Sequence, residues 1–185
     1  MAKYVSTIDL ASDYWQVAMS EESKMLTSFR TTRGLFQWNV MSQGLKNSSK
    51  TFQTLMNKVI WGAGADPNTH QDDIIIISDS WNEHLSHIRI VLERLTSGNL
   101  TARASKTQFA REETKYLGFV VRTSKIAPDP DKVKAIEHFP VCTSKKSVLA
   151  FLGVTGYYRR RIGNYSPRAF PLTELTTRAS QINLR

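Results

Sequence analysis

A single cysteine, Cys142, stands among 185 residues, so neither an internal disulfide nor a thiolate metal cluster can form. That scarcity fits a reducing compartment, and Cys142 reads as an ordinary small side chain. No stretch reaches the roughly 18 uninterrupted apolar residues of a membrane span. The opening Met1-Ala2-Lys3-Tyr4-Val5-Ser6 lacks a secretory hydrophobic region. The expectation is a soluble intracellular protein with no membrane partner. Internal repeats and low-complexity tracts are also missing. What remains at this length is one domain, or one domain with a small appendage, able to bury a real core.

Charge is plentiful but lopsided. Of a net +9, residues 1–100 contribute −1 (9 Lys/Arg against 10 Asp/Glu) and residues 101–185 contribute +10 (16 against 6). A basic half joined to a near-neutral half suits a surface that holds phosphates beside a site that holds cations. A merely soluble basic protein is the competing reading.

Patterning along the chain predicts mixed α and β elements. Tyr4 to Leu10 is β-branched and aromatic, a short strand that carries Asp9 at its end. Residues 25–41 place Phe29, Leu35, Phe36, Trp38 and Val40 around Arg33-Gly34, the pattern of a hairpin. Asn47 to Ser49 can cap a helix bearing Phe52, Leu55, Met56, Val59 and Ile60, with Gly62 as its stop. Residues 63–71 are polar and turn-prone, and they run into Asp72-Asp73 and four isoleucines, a buried strand. Ser80 with Glu83 forms a capping-box pattern, and Leu85, Ile88, Leu92 and Leu95 mark the face that should cover a sheet before Gly98 closes the helix. Tyr116 to Val121 reads as one strand and Ile126 to Pro130 as a stiff extended linker. Residues 130–139 and 144–163 read as two short helices, the second ending in Arg159-Arg160-Arg161.

Two features carry chemistry. Asp9 precedes Asp72-Asp73 by 63 positions, and both acids stand beside predicted strands, so neighbouring strands could bring the carboxylates to one sheet edge. Hard divalent cations need oxygen ligands of that kind, and two of them about 4 Å apart can drive an in-line phosphoryl transfer. Taken alone, an aspartate pair before a strand is usually a solvated turn.

The order of several segments resembles the reverse transcriptase of gypsy-type LTR retrotransposons over nearly the full length. Ser6-Thr7-Ile8-Asp9-Leu10-Ala11-Ser12-Asp13-Tyr14-Trp15-Gln16 is similar to the family's first catalytic motif. The resemblance makes Asp9 a metal ligand and Tyr14 the bulky gate against ribose 2′-hydroxyls. Met41-Ser42-Gln43-Gly44-Leu45-Lys46-Asn47 with Thr51-Phe52-Gln53 resembles the segment that steadies the nucleotide, Gln43 touching it and Gly44 letting backbone approach. His70-Gln71-Asp72-Asp73 stands where the family carries its paired aspartates, Asp72 the first ligand candidate and Asp73 the second. Lys106 matches a lysine near the phosphates that can donate a proton to pyrophosphate, and Tyr116-Leu117-Gly118 the segment that grips the primer 3′ end. Phe151-Leu152-Gly153, Tyr157-Tyr158-Arg159-Arg160-Arg161 and Pro171 to Leu175 resemble the thumb and its following linker, the tyrosines and arginines serving stacking and phosphate contact. For Lys106 a solvated lysine, for Tyr116 to Gly118 a core strand with a glycine bulge, and for Arg159 to Arg161 a favourably charged helix end are the plain alternatives.

The resemblance therefore implies an α+β fold: a reverse-transcriptase palm, an antiparallel sheet with two helices on one face, then a small helical thumb, with the fingers largely missing. Residues 1–122 would be the palm-like catalytic region and 123–185 the thumb with the start of a linker. It implies Mg²⁺, with Mn²⁺ as a substitute, and as partners deoxynucleoside triphosphates and an RNA or DNA template with its primer. Location would be the cytoplasm, in retroelement particles, or the nucleus. The sequence departs from the family at Asp13 beside the gate, at Ser42, Ser48 and Ser49, at His70, and at Asp66 to Thr69, where the family keeps an apolar strand. Proline cannot donate to a central ladder. Two alternatives follow from these departures: a catalytically inactive remnant binding nucleic acid through residues 101–185, and a decayed reading frame with no retained role.

Overall fold

The computed structural model describes residues 3–60, 68–70, 73–122 and 125–177, with backbone alone at Asp13 and at 68–70. The elements are β1 (Tyr4–Asp9), a 3-10 turn (Asp13–Gln16), α1 (Glu21–Met25), β2 (Phe29–Thr31), β3 (Gly34–Phe36), α2 (Ser48–Ile60), β4 (Asn68–His70), β5 (Asp73–Ser78), α3 (Trp81–Ser97), β6 (Gln108–Arg111), β7 (Glu113–Tyr116), β8 (Phe119–Arg122), β9 (Lys125–Pro128), α4 (Pro130–Glu137), α5 (Lys145–Tyr157), a second 3-10 turn (Arg159–Arg161) and α6 (Tyr165–Thr177). The chain forms two compact units, Met1–Ile126 and Ala127–Arg185.

In the first unit the sheet order is β4-β5-β1-β6, and β1 pairs with β5 and β6, and β4 with β5, in antiparallel fashion. Strand alternation sends Ile8 and Leu10 of β1 and its continuation, with Ile74 and Ile76 of β5, to one face. There they meet Phe52, Met56 and Ile60 of α2 and Val91 and Leu95 of α3. Val5 and Ile75 point the other way and bury against Val121 of β8, with Ile77 and Tyr116 partly buried beside them. An α+β palm-like fold is the result, with its helices on one face of the sheet.

Where patterning and structure differ, tertiary packing supplies the reason. The face of α3 that meets the sheet is His84, Val91 and Leu95, with Ile88 partly buried; Leu85 is 46% and Leu92 38% exposed. An imidazole carries no apolar signature in the sequence, yet His84 is fully buried between two hydroxyls. Its Nε2 lies 2.7 Å from Ser6 Oγ and its Nδ1 3.0 Å from Ser78 Oγ. Ser6 Oγ also accepts from Ala110 N–H at 2.9 Å, which stitches the register shift between β1 and β6. At the start of α3, Ser80 Oγ accepts from Glu83 N–H, but Glu83 Oε2 accepts from Asp79 N–H rather than from the cap residue. Gly98 does end this helix, and a Cβ there would sit 2.8 Å from Val59 Cγ2, so α2 and α3 approach too closely for a side chain.

Four further expectations are corrected. Asn68–His70, inside the stretch read as turn-prone, pairs with β5 as Asn68↔Ile75, Thr69↔Ile74 and His70↔Asp73. An edge position makes a short strand after a proline tolerable. Tyr116 to Val121 is not one strand: Leu117 and Gly118 take φ of 45° and 71°, the two-residue turn of a β7–β8 hairpin whose primed twist suits two strands. Pro171 and its neighbours, read as linker, lie inside α6, and residues 125–128 form a strand rather than a free extended segment.

The second unit is built from α4, α5 and α6. Asp129 caps α4, accepting from Asp131 N–H at 3.1 Å, and Ser144 with Ser147 forms a complete capping box on α5. Phe139 meets Phe151 edge to face at 5.3 Å, and Tyr165 reaches α5 through Thr155 Oγ1 and the Leu152 carbonyl.

Candidate active site

The antiparallel register of β1 and β5 sets Asp9 directly opposite Asp73. Asp9 alternates in phase with Val5 and Thr7 on β1, and Asp73 with Ile75 and Ile77 on β5, so both carboxylates belong to the face that β7 and β8 share and not to the helix face. They line one open cavity of about 580 Å³ together with Thr7, Lys106, Glu113 and Tyr116. Asp72 lies outside the described residues, as do the side chains of Asp13 and His70.

The segment after α3 is laid along the end of β1. Ala11 N–H donates to the Thr101 carbonyl at 2.9 Å, Arg103 N–H donates to the Asp9 carbonyl at 2.7 Å, and Leu10 bridges Ala102. Gln16 clamps the same junction: its amide group donates to the Ala11 carbonyl and accepts from Thr101 N–H. A tight turn follows, in which Lys106 N–H, Thr107 N–H and Thr107 Oγ1 all donate to the Arg103 carbonyl. The consequence is two cations on one carboxylate. Lys106 Nζ is 3.5 Å from Asp9 Oδ2 and Arg103 Nε 3.8 Å from Asp9 Oδ1.

Other residues singled out from the sequence occupy neighbouring ground in the first unit. Tyr14, in the 3-10 turn, sets its ring edge-on to Phe52 at 5.5 Å and its hydroxyl 3.0 Å from Ser49 Oγ. Gln43 and Gly44 form an exposed turn ahead of α2, Gly44 with φ of 88°. That loop is held by Ser48 Oγ, which donates to the Ser42 carbonyl at 2.9 Å. Tyr116 OH donates to the Asp73 carbonyl at 3.3 Å, so the Leu117-Gly118 turn projects from a strand anchored at the site. In the second unit Tyr157 is 55% exposed and Tyr158 only 7%. Burial pushes the Tyr158 hydroxyl above its ordinary value, with Tyr157 and Asp129 adding to the effect. Arg159, Arg160 and Arg161 are exposed on one 3-10 turn.

Two residues near Asp9 and Tyr14 carry no sequence signal for the contacts they make. Arg103 has no motif around it, and its only signal is a position three before Lys106. Ser49, in the sequence a cap candidate and a departure from the family pattern, holds the Tyr14 hydroxyl. As a donor set, Asp9 and Asp73 are hard oxygens without sulfur or imidazole, which fits a cation of the Mg²⁺ kind, bound through one or two carboxylates and completed by water and phosphate. No group of three His, Cys, Asp or Glu able to hold a metal occurs among the described residues.

Comparison with known proteins gives the family and the fold. Residues 1–121 match the family described as reverse transcriptase (RNA-dependent DNA polymerase). The chain is 40% identical over 185 residues to the retrovirus-related Pol polyprotein from transposon 297 of Drosophila melanogaster, covering 98% of this chain and 17% of that protein. It is 35% identical over 175 residues to the Pol polyprotein from transposon gypsy of the same organism, covering 94% and 17%. The chain thus spans about a sixth of the length of these relatives. The foamy viral protease-reverse transcriptase, solved in complex with RNA/DNA hybrid, has the same fold at a TM-score of 0.83 and 24% identity over 96% of this chain and 24% of that one; its complex with double-stranded DNA gives 0.85. No helix among the described residues is long and apolar enough to cross a membrane. From the paired strands that carry Asp9 and Asp73 to the kinship with transposon Pol polyproteins, the chain belongs to the reverse transcriptase (RNA-dependent DNA polymerase) family, in its gypsy-type retrotransposon branch.

Proposed function

We propose that this chain supplies the palm and thumb of an RNA-directed DNA polymerase, which adds deoxynucleotides to a primer 3′-hydroxyl on an RNA or DNA template. The observation that carries the reading is the register pair Asp9↔Asp73 on the cavity face, with Lys106 Nζ 3.5 Å from Asp9. Residues 1–122 serve as the palm-like catalytic region and 123–185 as the thumb with the start of a linker. Asp9, Asp73 and Asp72 hold Mg²⁺, for which Mn²⁺ can substitute. Bound there, the cation would lower the pKa of the primer hydroxyl and neutralise charge on the leaving pyrophosphate.

The chain's own groups do the rest. Tyr14, braced by Phe52 and Ser49, excludes a ribose 2′-hydroxyl, while Gln43 and the Gly44 backbone seat the nucleotide. Lys106 donates a proton to the leaving pyrophosphate. The turn of Tyr116, Leu117 and Gly118 holds the primer end, and Tyr157, Tyr158, Arg159, Arg160 and Arg161 serve the duplex, the arginines through phosphates. The buried state of Tyr158 makes it the support of Tyr157, whose exposed ring does the stacking. The test is single-nucleotide primer extension on an RNA template with Mg²⁺ and then Mn²⁺, with Asp9→Asn alongside. Extension lost in the variant is expected; equal extension by both proteins defeats the assignment.

A second reading rests on one observation, the three exposed arginines of a single turn in a half-chain of charge +10: a binding remnant without turnover. It predicts binding that weakens steeply with salt and needs no divalent cation. Folded protein that binds duplex but never extends a primer would favour it.

A further inference from the structure

Within the proposed metal-holding role of Asp9, on which this inference rests, Arg103 has a place that the polymerase reading does not use. Its backbone is fixed against β1: its N–H donates to the Asp9 carbonyl, and its own carbonyl takes bonds from Lys106 and Thr107. The side chain therefore starts beside the carboxylate, whatever rotamer it adopts. Arg103 faces Oδ1 and Lys106 faces Oδ2, so each oxygen of the carboxylate meets a different cation.

The distances say what kind of contact this is. A charge-assisted hydrogen bond between nitrogen and carboxylate closes to about 2.7–2.9 Å, whereas these contacts stand at 3.8 and 3.5 Å. The arginine side chain is 42% exposed and that of Asp9 20%. Such pairs are Coulombic, loose and displaceable. A divalent cation must approach the same oxygens to about 2.0–2.1 Å and would have to displace the guanidinium from Oδ1 or bind against its charge.

We propose that Arg103 is a metal-competing residue: it occupies Asp9 as an intramolecular cation and raises the divalent concentration at which the carboxylate is taken. Lys106 comes from the same turn but has a proton to deliver in the proposed reaction. Arg103 cannot deliver one at any ordinary pH, which leaves it a purely electrostatic part. The contact acts as a threshold on metal occupancy, and it acts only through Asp9.

The experiment is Mn²⁺ binding to the full chain without nucleic acid or nucleotide, followed by the electron paramagnetic resonance of free Mn²⁺. Arg103→Gln keeps every backbone bond of the turn and should bind Mn²⁺ about threefold more tightly, or about 0.7 kcal/mol at 1.4 kcal/mol per tenfold. Arg103→Lys should restore parental affinity. In an Asp9→Asn background Arg103→Gln should have no effect. An unchanged or weakened affinity in Arg103→Gln overturns the inference, and so does the same tightening in the Asp9→Asn background, which would mark a general charge effect. If Asp9→Asn alone leaves Mn²⁺ binding intact, the metal role of Asp9 fails first, a result distinct from failure of Arg103 alone. A shared cooperative melting transition for all variants excludes loss of fold as the cause.

Discussion

The two units of this chain spend their sequence differently. The first buries side chains on both faces of β1 and β5, with Phe52, Met56, Ile74 and Val91 fully enclosed. The second, among its described residues, buries Val148, Thr155, Tyr158 and the cap Asp129, and leaves Phe170, Tyr157 and Leu149 more than half exposed. Dense packing holds strands in one register, and register is what sets Asp9 against Asp73. A thin core cannot hold side chains so tightly, but it needs only to present charge. On the proposed reading, positioned chemistry belongs to the packed unit and diffuse electrostatics to the other, and the net charges are +3 for residues 1–126 and +6 for residues 127–185.

The sharpest way to break the comparison is at the carboxylate. Asp9→Asn should reduce primer extension about 10³-fold, since a metal's charge stabilisation is worth several kcal/mol, and quench-flow or gel extension would read the loss. A variant as active as the parent would mean that the packed unit does not hold the chemistry. Next comes the packing itself. Phe52→Ala should cost about 3–5 kcal/mol in urea unfolding, while Val148→Ala should cost about 2 kcal/mol at most, two methyl groups at about 0.8 each. Equal losses would show that the cores are alike after all.

Buried polarity gives a third test. Ser6 Oγ accepts from Ala110 N–H; in the tautomer where it gives its own proton to His84 Nε2, the imidazole hydrogen is on Nδ1 and donates to Ser78 Oγ. Ser78 then donates to His87 Nδ1 at 2.9 Å. Replacing His84 with Leu removes one partner from each of two hydroxyls, leaving Ser6 with Ala110 N–H and Ser78 with His87, and should cost about 2 kcal/mol. Burial, and then the neighbouring His87, hold the His84 pKa below its ordinary 6.5, with Glu83 opposing. Because the folded value is depressed, the unfolded chain binds the proton first. Stability should be level above pH 6.5 and fall as pH drops toward the folded value. His84→Leu should flatten that fall in denaturant titrations at successive pH values. The smallest effect belongs to the second unit: Arg160→Gln with Arg161→Gln should leave stability unchanged and lower the salt slope of duplex binding by about 0.9 per lost phosphate contact.

Much of this layout was legible beforehand, because the signals were local. Isoleucine runs, a Ser cap before α3 and the Phe52-Met56-Ile60 spacing each speak through neighbouring residues. The misreadings came where a partner far along the chain decided the matter. Leu117 at positive φ has no turn signature of its own, and the hairpin forms because Tyr116 and Phe119 pair and Val121 finds Val5 and Ile75. The face of α3 shifted from Leu85 and Leu92 to His84 because Ser6 and Ser78, 78 and 6 residues away, satisfy the imidazole. Pro171 sits inside α6, a helix that buries none of its residues, and the structure supplies no packing reason for it.

The sequence alone settled composition, charge division, the type of the strands and helices around Asp9, Asp73, α2, α3 and α5, and the kinship, because these depend on residue identity and short-range spacing. Folding decided which aspartate stands opposite Asp9, that two cations from one turn share its carboxylate, and that Tyr158 is buried while Tyr157 is exposed. Those are relations between segments up to about a hundred residues apart, fixed by strand register and burial, and local sequence carries no measure of either.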